Sequence, residues 1–146
     1  MKLGELLNIK GRDVYTTHVS DTILEVIKKL VGYNVGALVV LDNDGNLAGI
    51  ISERDILRVT ATGAGNLADL KVRDHMTRDL VTASSEATVD DAQSVMTERR
   101  IRHLPVVDNQ QLIGMISLGD LVKAKLADAE FETRHLTEFV MGKYPA

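Results

Sequence analysis

The chain contains the same pattern twice. VYTTHVSDTILEVIKKLVGYNVGALVVLDNDGNLAGIISERDIL, beginning at Val14, lies over LVTASSEATVDDAQSVMTERRIRHLPVVDNQQLIGMISLGDLV, beginning at Leu80. The offset is 66 residues as far as Asp42 and Asp108. It falls to 65 from Leu47 and Leu112 onward, because the first copy carries one more turn residue. Thr22/Thr88, Ile23/Val89, Val35/Ile101, Leu38/Leu104, Val40/Val106, Gly49/Gly114, Ser52/Ser117 and Asp55/Asp120 all recur in register. A duplication narrows the possible folds, since what one copy forms the other forms too. A copy of about 45 residues buries too little apolar surface to stand alone, so the two are expected to pack with pseudo-two-fold symmetry.

Within each copy the hydrophobic period changes in a fixed order. Ile23, Val26, Ile27 and Leu30, and Val89, Ala92, Val95 and Met96, follow helical spacing. The short runs VGALVVL and IRHLPVV follow, then the turns DNDGN and DNQQ, then LAGII and LIGMI. Asp-Gly between two apolar runs is a strong hairpin signal. Ser52 and Ser117 then stand where a helix N-cap belongs, ahead of DILRV and DLVKA. Each copy therefore reads β-α-β-β-α, an α+β fold. The segment from Thr60 to Thr77 starts Gly- and Ala-containing and takes on a structured pattern at KVRDHMT. A C-terminal helical extension is expected over 126–146, either packed on its own body or serving self-association.

Composition removes several functional classes. A net charge of -4 gives no footprint for nucleic acid, whose binding depends on clustered Lys and Arg. With no cysteine there is no disulfide, thiolate metal site or cysteine nucleophile. The four histidines show no i, i+4 pair and no HExxH, and neither a phosphate loop, GxGxxG nor GxSxG is present. Nothing pairs a nucleophile with a base, so no catalytic residue, catalytic cofactor or metal is expected, and the chain is not expected to be an enzyme. The longest apolar run is far below the roughly 20 residues that span a bilayer. A cytoplasmic protein without membrane contact is expected.

The repeated Ser-x-x-Asp has two chemical readings. Serine at the N-cap with an acid three residues on is a capping box, satisfying free N–H groups at the positive end of the helix. The same two side chains share one face of the first turn, where a carboxylate can accept both hydroxyls of a ribose 2′,3′-diol. Both uses are compatible with one geometry.

The duplicated pattern, with VRDHMT before the second copy and Gly-x-x-Ser-x-x-Asp closing each, resembles a tandem pair of CBS domains, also called a Bateman module. RHLPVV matches the family pattern closely, while the first copy reads GALVVL, with Val39 where proline is frequent. On this basis the chain divides into repeat 1 (11–59), a linker (60–76), repeat 2 (77–125) and the C-terminal helix (126–146). The resemblance implies a standalone regulatory or signalling protein of bacterial type that forms a homodimer and acts on an unknown downstream protein. It implies an adenine nucleotide as ligand, AMP first, with ATP, ADP or NAD as alternatives, in a cleft between repeats. The other reading is a structural or partner-binding CBS module with no nucleotide.

Carried over position by position, the resemblance implies two sites. One combines Ser52, Arg54 and Asp55 with Thr77, Val81, Ile101, Arg102 and His103. The other combines Ser117 and Asp120 with Lys10, Tyr15, Val35, Gly36 and Ala37. Arg54, Arg58, Arg99, Arg100 and Arg102 give the Asp55 site a basic setting, whereas Leu118, Gly119, Val35 and Gly36 leave Asp120 in a neutral one. The Asp55 site is accordingly expected to take the more highly charged ligand.

Overall fold

A computed structural model describes residues 1–128. The chain forms two compact units: Asp13–Val81, and Met1–Arg12 together with the residues from Thr82 onward. They are the first-repeat and second-repeat units. The expected helix over 126–146 lies, from Ala129 on, outside the described residues.

The first-repeat unit runs β1 (Thr16–His18), α2 (Ile23–Tyr33), β2 (Ala37–Leu41), β3 (Leu47–Ser52) and α3 (Glu53–Thr62); α1 (Leu3–Lys10) belongs to the other unit. β1 pairs parallel with β2, and β2 pairs antiparallel with β3, with Ala37 opposite Ser52. Thr22 caps α2 by accepting from the Glu25 N–H, and Asn34 ends it in the left-handed conformation that stops a helix. Ile23, Val26, Leu30, Leu38, Val40, Ile51, Val59 and Val72 form the core of this unit. Leu67, Leu70 and Met76 pack against it. Residues 67–76 are thus part of the first-repeat unit, with a 3-10 turn at Val72–Asp74.

The second-repeat unit contains α1 (Leu3–Lys10), α4 (Val89–Arg99), β4 (His103–Asp108), β5 (Gln111–Ser117) and α5 (Leu118–Asp128). Its hairpin repeats the first in register, with His103 opposite Ser117 as Ala37 is opposite Ser52. Thr88 and Asp91 form a capping box on α4, and Arg100 takes the left-handed position held by Asn34 in the other copy. α1 was not anticipated as an element; its Leu3, Leu6 and Leu7, spaced three and four apart, are all buried.

The opening strand expected in the second copy is reduced to one bridge, Ala83 with Val106. Two residues account for it: the Ser85 N–H, whose first-copy counterpart Val19 bonds to the Leu41 carbonyl, donates instead to the Asp108 carboxylate at 3.0 Å, and on the other side a proline removes a bond. In the first copy the Val39 N–H donates to the Tyr15 carbonyl at 3.1 Å. Pro105 stands at the matching position, and proline has no N–H to give.

The recurring glycines mark close approaches of backbone. A Cβ on Gly49 would lie 2.6 Å from the Thr77 carbonyl oxygen. The Ile50 N–H donates to that oxygen at 3.0 Å and the Thr77 N–H returns a bond to Ile50 at 2.8 Å, so residues 76 and 77 lie flat on β3. A Cβ on Gly114 would lie 2.6 Å from a methyl of Leu7, so α1 seats on β5 through a side chain rather than through backbone. In each unit the segment that precedes one repeat along the chain covers the glycine of the other repeat's hairpin.

Candidate functional site

The geometry of each Ser-x-x-Asp follows from the strand that feeds it. β3 and β5 both end on the serine, whose extended backbone lets the aspartate three residues on fold back over it. The Asp55 carboxylate accepts from the Ser52 N–H at 2.9 Å and from the Ser52 hydroxyl at 3.2 Å, both on Oδ2. Asp120 accepts from the Ser117 N–H at 2.8 Å, while the Asp120 N–H donates to the Ser117 hydroxyl at 3.2 Å. Each acid therefore sits at the positive end of a helix. The strand before the hairpin ties the same corner: Gly36 O accepts from Glu53 N–H at 3.0 Å, and Arg102 O from Leu118 N–H at 2.9 Å.

The two aspartates differ in what else they meet. Asp55 is 5% exposed. The Thr77 hydroxyl donates to its Oδ1 at 3.2 Å, and the Arg58 guanidinium, itself largely exposed, stands 3.6 Å away. Asp120 is more open, with a fifth of its side chain exposed (21%), and the Lys10 ammonium donates to its Oδ2 at 2.6 Å. Lys10 also donates to the Met115 carbonyl at 2.7 Å. The setting of Asp120 is therefore not uncharged. The neutral surroundings expected from Leu118 and Gly119 are corrected by a lysine 110 residues distant in sequence, brought in by α1.

Burial pushes the Asp120 carboxyl up, but the Lys10 ammonium and the Ser117 N–H outweigh it and hold the group below the usual carboxylate range. Asp21 shows the same balance: burial raises it, and the His18 N–H, the Thr17 hydroxyl and Lys29 together bring it down. A depressed folded value makes a contribution to stability that is present above the unfolded value and lost as pH falls through the folded one. Urea unfolding midpoints are therefore expected to hold from pH 7 to about 5 and to fall steadily below about pH 4, in the range where free carboxylates protonate. Asp21→Asn should flatten part of that decline. A midpoint independent of pH down to 3 would rule out these carboxylates as stabilising ions.

The expected site residues are distributed between the units. Ser52, Arg54, Asp55, Thr77 and Val81 lie in the first-repeat unit, and Ile101, Arg102 and His103 in the second. Lys10, Ser117 and Asp120 lie in the second-repeat unit, and Tyr15, Val35, Gly36 and Ala37 in the first. Within the units, Thr77 joins Asp55 and Lys10 joins Asp120 directly. Tyr15, which is 41% exposed, stacks on Tyr33 with ring centroids 4.3 Å apart. Tyr33 and the Met115 carbonyl were not among the expected residues. Nothing in the spacing of the sequence points to either, since both meet their partners only through the fold.

Residues 7–61 and 72–127 each match the family model of the CBS domain. The chain belongs to the CBS-domain family. Among its relatives, the mitochondrial CBS domain-containing protein CBSX3 of Arabidopsis thaliana is 39% identical over 128 residues, 85% of this chain. The matched region is 62% of that relative's length. A CBS-domain containing protein from Agrobacterium tumefaciens has a structure similar to this one at TM-score 0.82 and 38% identity, covering 86% of this chain and 99% of its own. A CBS domain protein from Pyrobaculum aerophilum, solved in complex with AMP, matches at TM-score 0.74 and 29% identity, over 82% of this chain and 89% of that one. The CBS domain pair of protein MJ0100, in complex with 5′-methylthioadenosine and S-adenosyl-L-methionine, matches at TM-score 0.75 and 26% identity, over 85% and 98%. Among the described residues no helix of this CBS pair is long and apolar enough to cross a membrane, and no group of three or more acidic, histidine or cysteine side chains could hold a metal ion.

Proposed function

We propose that this CBS pair is a non-catalytic regulatory module that senses an adenosine-containing ligand, with ribose hydroxyls taken by Asp55 and Asp120. The observation that carries the reading is the state of Asp120. It is held ionised at a helix N-terminus, part-exposed, and the bonds from Lys10 and the Ser117 N–H both fall on one oxygen, Oδ2. An ionised carboxylate is a strong acceptor for a hydroxyl donor. AMP, 5′-methylthioadenosine and S-adenosyl-L-methionine, the ligands of the two solved relatives, share adenosine and differ beyond it. That shared part is what a ribose-directed carboxylate reads. With Asp55 the proposal keeps Ser52, Arg54, Thr77, Val81, Ile101, Arg102 and His103, and with Asp120 it keeps Ser117, Lys10, Tyr15, Val35, Gly36 and Ala37.

Asp55 favours a second, structural reading for its own position. It is buried and both of its oxygens are already engaged by Ser52 and Thr77. A capping role alone accounts for that. The proposal also includes a homodimer. Leu57 and Val122 occupy matching positions of the two closing helices and are 70% and 50% exposed. Apolar residues left open at the same place in both copies suit a self-complementary surface.

Thermal unfolding of nucleotide-stripped protein tests the ligand. At a free concentration near 100 Kd, AMP, ADP, ATP, NAD or S-adenosyl-L-methionine should add about 2.7 kcal/mol of stability. For a chain of this size that is an upward shift of several degrees in Tm. No shift with any of the five at millimolar concentration would leave the structural reading standing.

A further inference from the structure

Lys10 and Thr77 occupy comparable places, each in the segment that precedes one repeat and each seated on the Ser-x-x-Asp aspartate of its unit. One is a hydroxyl and the other a full cation. A hydroxyl both donates and accepts, so Thr77 can turn to serve a ligand without leaving Asp55. An ammonium only donates, and it holds a carboxylate oxygen against any other donor. At Asp120 the lone pairs of Oδ2 are taken by the Ser117 N–H at 2.8 Å and the Lys10 ammonium at 2.6 Å. A vicinal diol grips a carboxylate with one hydroxyl on each oxygen. The Ser117 N–H cannot leave without uncapping α5, so the diol's second hydroxyl needs the position of Lys10.

We propose that Lys10 is an internal competitor for the ribose carboxylate of Asp120, so that ligand binding there exchanges an ion pair within the protein for the diol. The proposal rests on the ligand reading above and specifies what sets affinity at one of its two aspartates. Lys10 is the last residue of α1, which seats on β5 through Leu7 over Gly114. Its second bond, to the Met115 carbonyl at 2.7 Å, keeps the ammonium at hand when the carboxylate is surrendered. Displacement is therefore local and reversible. Binding at Asp120 loosens the end of α1, whereas Asp55 has no ammonium to displace.

Calorimetric titration with AMP, together with the backbone amide signals of Asn8, Gly11, Ser117 and Asp120 in NMR spectra, tests this on the full chain. Lys10→Met keeps most of the side-chain stem and removes the ammonium. It is expected to tighten AMP binding at the site read by the Ser117 and Asp120 amides by about twofold to fivefold, the range for releasing a part-exposed ion pair. In the unaltered chain AMP should also move the Asn8 and Gly11 signals. Lys2→Met, which removes the cation just before α1 paired with Glu86 at 2.6 Å, controls for net charge and should bind AMP like the unaltered chain. If Lys10→Met binds AMP equally or more weakly while Asp120→Ala abolishes these shifts, the competitor is overturned and the ligand reading stands. If no folded form binds AMP, both fail together. A melting curve on each variant establishes that it is folded.

Discussion

Gly49→Ala is expected to destabilise the first-repeat unit by about 1–3 kcal/mol, the range for forcing a methyl into an occupied space. The added Cβ meets the Thr77 carbonyl oxygen at 2.6 Å and the Met76 sulfur at 3.1 Å. The first neighbour is backbone and cannot swing aside. Relief requires residues 76 and 77 to lift from β3, which breaks the paired bonds between Ile50 and Thr77. The Thr77 hydroxyl then leaves Asp55, exposing a carboxylate that is buried in the intact chain. Gly114→Ala should cost less, because its nearest neighbours are the terminal methyls of Leu7, which can shift. Urea unfolding of both variants measures the difference. Equal stability of Gly49→Ala and the unaltered chain would mean that the Gly49 contact with Thr77 does not constrain the fold.

The repeat made much of this molecule legible in advance. Matching positions predicted matching elements, and Thr22 and Thr88 do cap α2 and α4, while Ser52 and Ser117 precede α3 and α5. What local pattern could not supply is which unit a connecting segment joins. The stretch labelled as a linker packs its Leu67, Leu70 and Met76 on the first-repeat core, and α1 joins the second-repeat unit. Both outcomes depend on contacts between residues far apart in sequence, which periodicity does not report. Pro105 was visible as a match to the family pattern. Its consequence, the loss of one bond of the opening strand, follows only once the Val39 to Tyr15 hydrogen bond is known, and the second loss, the Ser85 N–H turned to Asp108, shows only in the fold.

The same limit governed the site. Ser-x-x-Asp was readable as a capping box, and the cap bonds are present at both aspartates. Of their surroundings, the family resemblance set Thr77 with Asp55 and Lys10 with Asp120, two contacts that neighbours along the chain do not suggest. Neighbours in sequence suggested a charged Asp55 and a neutral Asp120, but the group in direct ionic contact at hydrogen-bond distance is Lys10, on Asp120. Arg58 stays at 3.6 Å from Asp55 and is 67% exposed, where solvent screens it. Charge counted along the chain ranked the two positions differently from charge located in the fold.

The largest effect on binding is expected from removing both carboxylates. A hydrogen bond to a charged group contributes about 1.5–3 kcal/mol, so Asp55→Ala with Asp120→Ala should weaken an adenosine ligand at least a hundredfold. The structural cost, about 1–3 kcal/mol where a buried donor loses its carboxylate, is read from a melting curve on the variant before it is titrated. The most direct test of ribose recognition is calorimetric titration of AMP beside 2′-deoxy-AMP, on the unaltered chain and on this double variant. The account predicts that AMP binds the unaltered chain about tenfold more tightly than 2′-deoxy-AMP, for loss of one of two charge-assisted bonds, and that the double variant loses both binding and preference. Equal affinity for the two nucleotides, or AMP binding undiminished in the double variant, would contradict it.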